Sequence, residues 1–274
     1  MSGVVPVQGC PKCGDCHLPV EIETNFGVCP GCGYHYKLGA RARLEQMLDE
    51  DSFEEWDGDL RATDPLEFVD VVPYTERLST ATRKSGMDDA VITGLGRIDG
   101  MTIGIAVMDF SFIGGSMGVV VGEKISRAME RSASRAMPFV AVTASGGARM
   151  QEGLMSLVQM AKTSVARARL AEVPVPYITI LTDPTVGGVM ASFAASADVI
   201  FAEPGATVGF AGARVISQAT HEEFPEGFQT SEFMRDHGFI DLVVPRPEMR
   251  EQVSRLLGLY PTPRAAFTAL AEEA

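Results

Sequence analysis

No stretch of this 274-residue chain approaches the ~18 to 20 uninterrupted apolar residues that a membrane-spanning helix requires, and its longest apolar regions are broken by Asp109, Asp183 and Asp198. Positive charge is scarce: 23 Lys and Arg stand against 36 Asp and Glu, a net charge of -13. That balance argues against broad binding to nucleic acid or to an anionic membrane surface, both of which reward a basic face. Met1 to Gly9 hold neither the basic start nor the apolar run of a signal peptide, so the expected location is cytoplasmic. Histidine is limited to His17, His35, His221 and His237, with the last two in polar segments. No Ser-His-Asp arrangement can be built from them. Ser145 precedes Gly146 outside any GxSxG elbow and reads as a turn or cap residue. Asp183 and Asp198 border apolar runs, where capping is the expected role. The chain also lacks a GxxxxGK[ST] phosphate loop, so it offers no nucleotide site of its own.

Cysteine is absent after residue 32, and four of the five cysteines form two pairs, Cys10/Cys13 and Cys29/Cys32, fifteen residues apart. This is a zinc-ribbon spacing. Two Cys-x-x-Cys knuckles make a closed tetrahedral site with no open position for water, which makes the expected metal structural. Gly14 and Gly33 follow the second cysteine of each pair, where a knuckle often needs positive φ. Cys16 and His17 leave the ligand set open, since either could replace a thiolate.

Leu38 to Glu50 has the pattern of a short amphipathic helix, and the acidic, proline-containing stretch from Asp51 to Pro73 reads as irregular. Ala90–Ile98 and Met101–Phe110 read as strands joined at Asp99-Gly100, a strong hairpin signal. Helical stretches at 117–137 and 152–172 alternate with apolar runs at 139–143, 177–182 and 199–202, as in α/β folds. Closing helices are expected at 229–237 and 247–257. Met150, Met155 and Met160 suit core or subunit-interface packing.

The 28 glycines, about 10% against a usual ~7%, cluster where strands should hand over to helices: Gly114-Gly115, Gly146-Gly147 and Gly187-Gly188. Amides at such turns can stabilise an anion, and two turns meeting in space would form an oxyanion hole. The same glycines would equally serve tight turns and close packing.

The segments SGGARMQEG (145–153), DFSFIGGSMGVVVGEKI (109–125), PTVGGVMASFAASADV (184–199) and GFQTSEFMRDHGFID (227–241), preceded by the ribbon, closely resemble the β subunit of bacterial acetyl-CoA carboxylase carboxyltransferase. The resemblance covers essentially the whole chain. It implies a crotonase/ClpP-like α/β fold of repeated ββα units over residues 90–274, with a zinc-ribbon domain and its helix at 1–50 and a connector at 51–89. It also implies transfer of a carboxyl group from carboxybiotin to acetyl-CoA, giving malonyl-CoA in the first committed step of fatty-acid biosynthesis. The implied partners are a homologous α subunit in an α2β2 heterotetramer, a biotin carboxyl carrier protein and a biotin carboxylase. Biotin would come from the carrier, ATP would be used elsewhere in the carboxylase, and one structural Zn2+ would be held by Cys10, Cys13, Cys29 and Cys32. By the same resemblance, Gly146 and Gly147 supply amides to the thioester oxygen with Gly187 and Gly188 beside them, and Gly114 and Gly115 line the CoA site. A decarboxylase subunit acting on malonyl or another short acyl-CoA would share these glycines. A zinc-ribbon regulatory module without chemistry would explain only the ribbon.

Overall fold

The computed structural model describes residues 7–212, 216–217 and 224–260; His221 lies outside them. The N-terminal segment carries a two-stranded antiparallel ribbon, β1 (Gln8–Gly9) with β2 (Cys16–His17), then α1 (Pro19–Thr24) and α2 (Ala40–Met47). The body is built on an eight-stranded sheet. Its first hairpin joins β4 (Val91–Ile98) to β5 (Met101–Met108) in antiparallel register from Val91↔Met108 to Ile98↔Met101. Asp99 and Gly100 both take positive φ, 48° and 81°, as a two-residue primed turn demands.

After β5 the chain makes crossovers in which each strand lies parallel to its predecessor, β5–β6–β7–β8. α4 (Val119–Ser134) leads to β6 (Phe139–Ser145), and α5 (Leu154–Leu170) to β7 (Tyr177–Val186). The helix after β7, α6, is a single turn, Gly187–Met190; β8 (Val199–Ala202) then pairs parallel with β7. β9 (Val208–Gly209) extends the far end of β7. α7 (Ser231–Asp236), β10 (Leu242–Val243) and α8 (Arg246–Leu257) close the body. β6 is buried along its whole length, which is why its first four residues, Phe139–Val142, are continuously apolar rather than alternating.

Residues 51–73, expected to be irregular, contain β3 (Glu54–Trp56), which extends the sheet by pairing antiparallel with β4. Three residues are too few for alternation to show; the strand is held by Trp56, buried and flanked by the guanidiniums of Arg131 and Arg135. Within 74–89 lies a full helix, α3 (Tyr74–Ser85), with Glu76 in its first turn, Arg83 and Lys84 in its last, and Gly86 in the left-handed conformation after it. Those end signals were present in the sequence, with a short apolar stripe of Tyr74, Leu78 and Ala81 turned to the core.

Candidate functional site

Because β6 and β7 are parallel neighbours, their C-terminal ends open on the same edge of the sheet, and the turns that follow them touch. A Cβ on Gly187 would lie 2.9 Å from the Gly147 Cα, and one on Gly147 would lie 3.3 Å from the Gly187 Cα. Both residues have positive φ, 116° for Gly147 and 63° for Gly187, so glycine is required here by conformation as well as by space. The Gly114-Gly115 loop forms the third side. A Cβ on Gly115 would collide with the Ala144 carbonyl oxygen, and Gly115 is buried.

The turns therefore meet, yet several of their amides are already used. The Gly146 amide donates to the Gly114 carbonyl oxygen at 2.9 Å. Gly147 N donates to Ser145 Oγ at 3.0 Å, which gives Ser145 the turn role read from its position. Gly187 N donates to Phe210 O at 2.8 Å. Two amides differ. Ala148 N has no acceptor among the described residues, and Gly188 N lies in the first turn of α6, where an amide has no intrahelical partner. The two residues lie close together: a Cβ on Gly188 would sit 3.4 Å from the Ala148 Cβ and 3.5 Å from Ala148 N. The arrangement can present two N–H groups to an anionic oxygen. Asp183 and Asp198, read as capping residues, accept from the amides of Thr207 and Tyr177.

The four cysteines of the ribbon also converge. One ligand atom from each of Cys10, Cys13, Cys29 and Cys32 lies within 4.8 Å of every other, so these four could hold a metal ion. The knuckles form as their spacing requires, with Gly14 N donating to Cys10 O and Gly33 N to Cys29 O, and with Gly14 and Gly33 at φ 79° and 72°. Cys16 is exposed and outside the cluster. The His17 ring approaches the Cys29 sulfur through Nε2 at 3.4 Å, beside the four rather than among them.

A model of the carboxyl transferase domain matches residues 36–272. The chain belongs to the carboxyl transferase family. Its curated relatives include acetyl-coenzyme A carboxylase carboxyl transferase subunit beta of Rubrobacter xylanophilus, 54% identical over 90% of this chain and 96% of the relative. The subunit of the same name from Pelobacter propionicus is 49% identical over 93% of this chain and 90% of the relative. Among solved structures, transcarboxylase 12S with hydrolysed methylmalonyl-coenzyme A bound superposes with a TM-score of 0.71 at 28% identity, over 89% of this chain. The chain spans 43% of that transcarboxylase chain. A Pseudomonas malonate decarboxylase hetero-tetramer in complex with malonate gives a TM-score of 0.68 at 25% identity, over 82% of this chain and 83% of that one. The fold is thus the crotonase-like α/β fold of carboxyl transferases.

In this carboxyl transferase the ribbon is clamped to the body by charges that the sequence reading passed over. Arg246 donates through Nη1 to Phe26 O and Gly27 O, through Nη2 to Tyr36 O, and through Nε and Nη2 to both oxygens of Glu203, at 2.7 to 3.0 Å. Arg43 Nη1 lies 2.6 Å from Glu203 Oε1, the oxygen that Arg246 Nε also reaches. All three side chains are buried. Burial alone would raise the Glu203 pKa, but the Arg43 and Arg246 guanidiniums outweigh it and hold the carboxyl at about 2. Burial pushes the His35 pKa down, which favours the neutral ring that accepts from Arg246 N at 3.1 Å.

Behind the glycine turns lies a second buried cluster, Arg149 with Asp89, Glu152 and Tyr74. Arg149 and Glu152 belong to the SGGARMQEG segment that carried the resemblance. Charged residues set among small and apolar ones were the available signal; their partners Tyr74 and Asp89 come from the stretch read as connector.

Proposed function

We propose that this chain is the β subunit of an acetyl-CoA carboxylase carboxyltransferase, passing a carboxyl group from carboxybiotin on a carrier protein to acetyl-CoA to give malonyl-CoA. The observation that carries the reading is the pair of neighbouring amides at Ala148 and Gly188, without an acceptor among the described residues, in a chain 54% identical to a subunit of that name. Preorganised amides suit the oxygen of a thioester as charge builds on it during enolate formation. Gly146, Gly147 and Gly187 then act as the frame that aims these donors, and half-buried Gly114 lines the acyl-CoA side. Carboxybiotin supplies the carboxyl group and, on losing it, a basic ureido nitrogen that takes the acetyl methyl proton. The chain need only orient the reactants and stabilise charge.

The site is open on one side. Gly146 is exposed, and next to it Met150, Leu154, Leu157, Val158 and Val165 present an apolar stripe to solvent, with Leu154 74% exposed. Such a stripe on the helix that follows the turn marks an interface. Its proposed occupant is the homologous α subunit, which would bring the biotin-facing half of the site in an α2β2 assembly. Malonyl-CoA-dependent carboxylation of biocytin by the reconstituted α/β complex tests the whole reading. Absence of activity in a folded, metal-loaded complex would defeat it, and turnover of malonyl-CoA without any biotin acceptor would favour the decarboxylase reading.

The ribbon metal is proposed to be zinc, held once per chain. Four thiolates at Zn–S ≈ 2.3 Å stand about 3.8 Å apart, and Cys10–Cys32 and Cys13–Cys29 sulfurs are 3.6 and 3.9 Å apart. The metal would have no open position and would supply cross-linking alone. Cys29→Ser should abolish zinc retention, whereas Cys16→Ala should keep one zinc per chain by elemental analysis; zinc lost on changing Cys16 alone would overturn this ligand set.

A further inference from the structure

The Ala148 amide, without an acceptor among the described residues, sits one residue before Arg149, whose side chain is wholly buried. Its guanidinium binds four residues, three of them in other segments. Nη1 and Nη2 donate to the two oxygens of Asp89, at 3.0 and 2.5 Å, at the foot of the first hairpin. Nη1 also donates to the Tyr74 hydroxyl on α3 at 3.1 Å and to Glu152 Oε1 at 3.2 Å. Nη2 and Nε reach the carbonyl and hydroxyl of Ser116, in the loop that carries Gly114 and Gly115. Tyr74 in turn donates to Glu152 Oε1 at 2.6 Å, and Glu152 Oε2 accepts from Val119 N at the start of α4, at 2.6 Å. Backbone bonds run the same way: Met117 N to Gly147 O and Arg149 N to Met117 O.

We propose that Arg149, braced by Asp89, Tyr74 and Glu152, is the positioning residue of the oxyanion turn, fixing the Gly114–Gly118 loop and the Gly146–Ala148 turn as one unit so that the Ala148 amide is held in place before substrate arrives. The proposal rests on the carboxyltransferase reading for its kinetic consequence only. A planar fork is needed to reach Asp89 and Ser116 together, so lysine cannot replace it. None of the four side chains is required to touch substrate. Loosening the unit should weaken the interaction made in the transition state and leave substrate binding as it was.

The test uses the α/β complex and two variants, Arg149→Lys and Tyr74→Phe, read by biocytin carboxylation and by hydrogen exchange of the Gly146, Gly147 and Arg149 amides. Arg149→Lys is expected to lower kcat about 30-fold and Tyr74→Phe about fivefold, each with KM for malonyl-CoA within about twofold of the parent. Exchange at the three amides should quicken while that of α8 stays unchanged. Unaltered exchange in Tyr74→Phe, which removes one hydroxyl and keeps the packing, would overturn the proposal even where Arg149→Lys fails to fold. A loss confined to KM would also overturn it. An inactive parent complex would defeat the proposed function instead, and the exchange measurement would still decide the role of Arg149.

Discussion

Gly187→Ala is expected to lower the kcat of carboxyl transfer by about 100-fold or more, the scale of losing an oxyanion donor, with the metal content of the four-cysteine cluster unchanged. The added methyl group has nowhere to go. It would stand 2.9 Å from the Gly147 Cα and 3.4 Å from the Gly146 carbonyl oxygen, on a residue whose φ of 63° is itself costly for a side chain. Relief requires the β6 and β7 turns to separate, which pulls the Gly188 and Ala148 amides apart. Substrate affinity, made mostly by the rest of the acyl-CoA, should change far less. Steady-state kinetics of the variant complex, with KM reported beside kcat, decide the matter. Activity within a few-fold of the parent would mean that the meeting of these two turns is incidental to catalysis.

Glu203→Gln is expected to produce the largest loss of stability. It leaves Arg43 and Arg246 buried against each other with no carboxylate between them, a class of change that costs about 3 to 5 kcal/mol. At about 2 to 4 °C per kcal/mol for a chain of this size, the Tm should fall by roughly 10 °C. The pH dependence follows from the sign of the shift. The carboxyl is held at about 2 in the folded chain against an ordinary 4.5, so its contribution is complete above 4.5 and disappears as the pH falls from there toward 2. Thermal denaturation of parent and variant at pH 7 and pH 3 should show the gap narrowing in acid. An equal gap at both values would mean that the Glu203 charge is not what secures the ribbon.

What could be read in advance divides along physical lines. The β4–β5 hairpin was legible because Asp99-Gly100 fits only one kind of turn, and the parallel strands were legible because burial on both faces leaves unbroken apolar runs. The glycine pairs were legible as sites of close approach. Which amides they leave free was not, because the acceptors that consume Gly146 N and Gly187 N, the carbonyls of Gly114 and Phe210, come from loops more than twenty residues away in the chain. That accounting moves the proposed donors to Ala148 and Gly188, only one of them a glycine singled out beforehand. The Arg43–Glu203–Arg246 clamp was invisible for the same reason: three isolated charges in three distant segments carry no local pattern.

The hydrogen bonds from Arg246 to Phe26 and Gly27 join residues 220 and 219 positions apart. During synthesis the ribbon therefore emerges long before the side chain that fastens it. Its two knuckles are complete as soon as Cys32 has left the ribosome, and the helix after them can settle on the first hairpin, where Ala40 N meets Asp109, well before Arg246 is made. The Arg246 clasp is then a late step of maturation, and a chain truncated ahead of α8 would lack the fastening at Phe26, Gly27 and Tyr36.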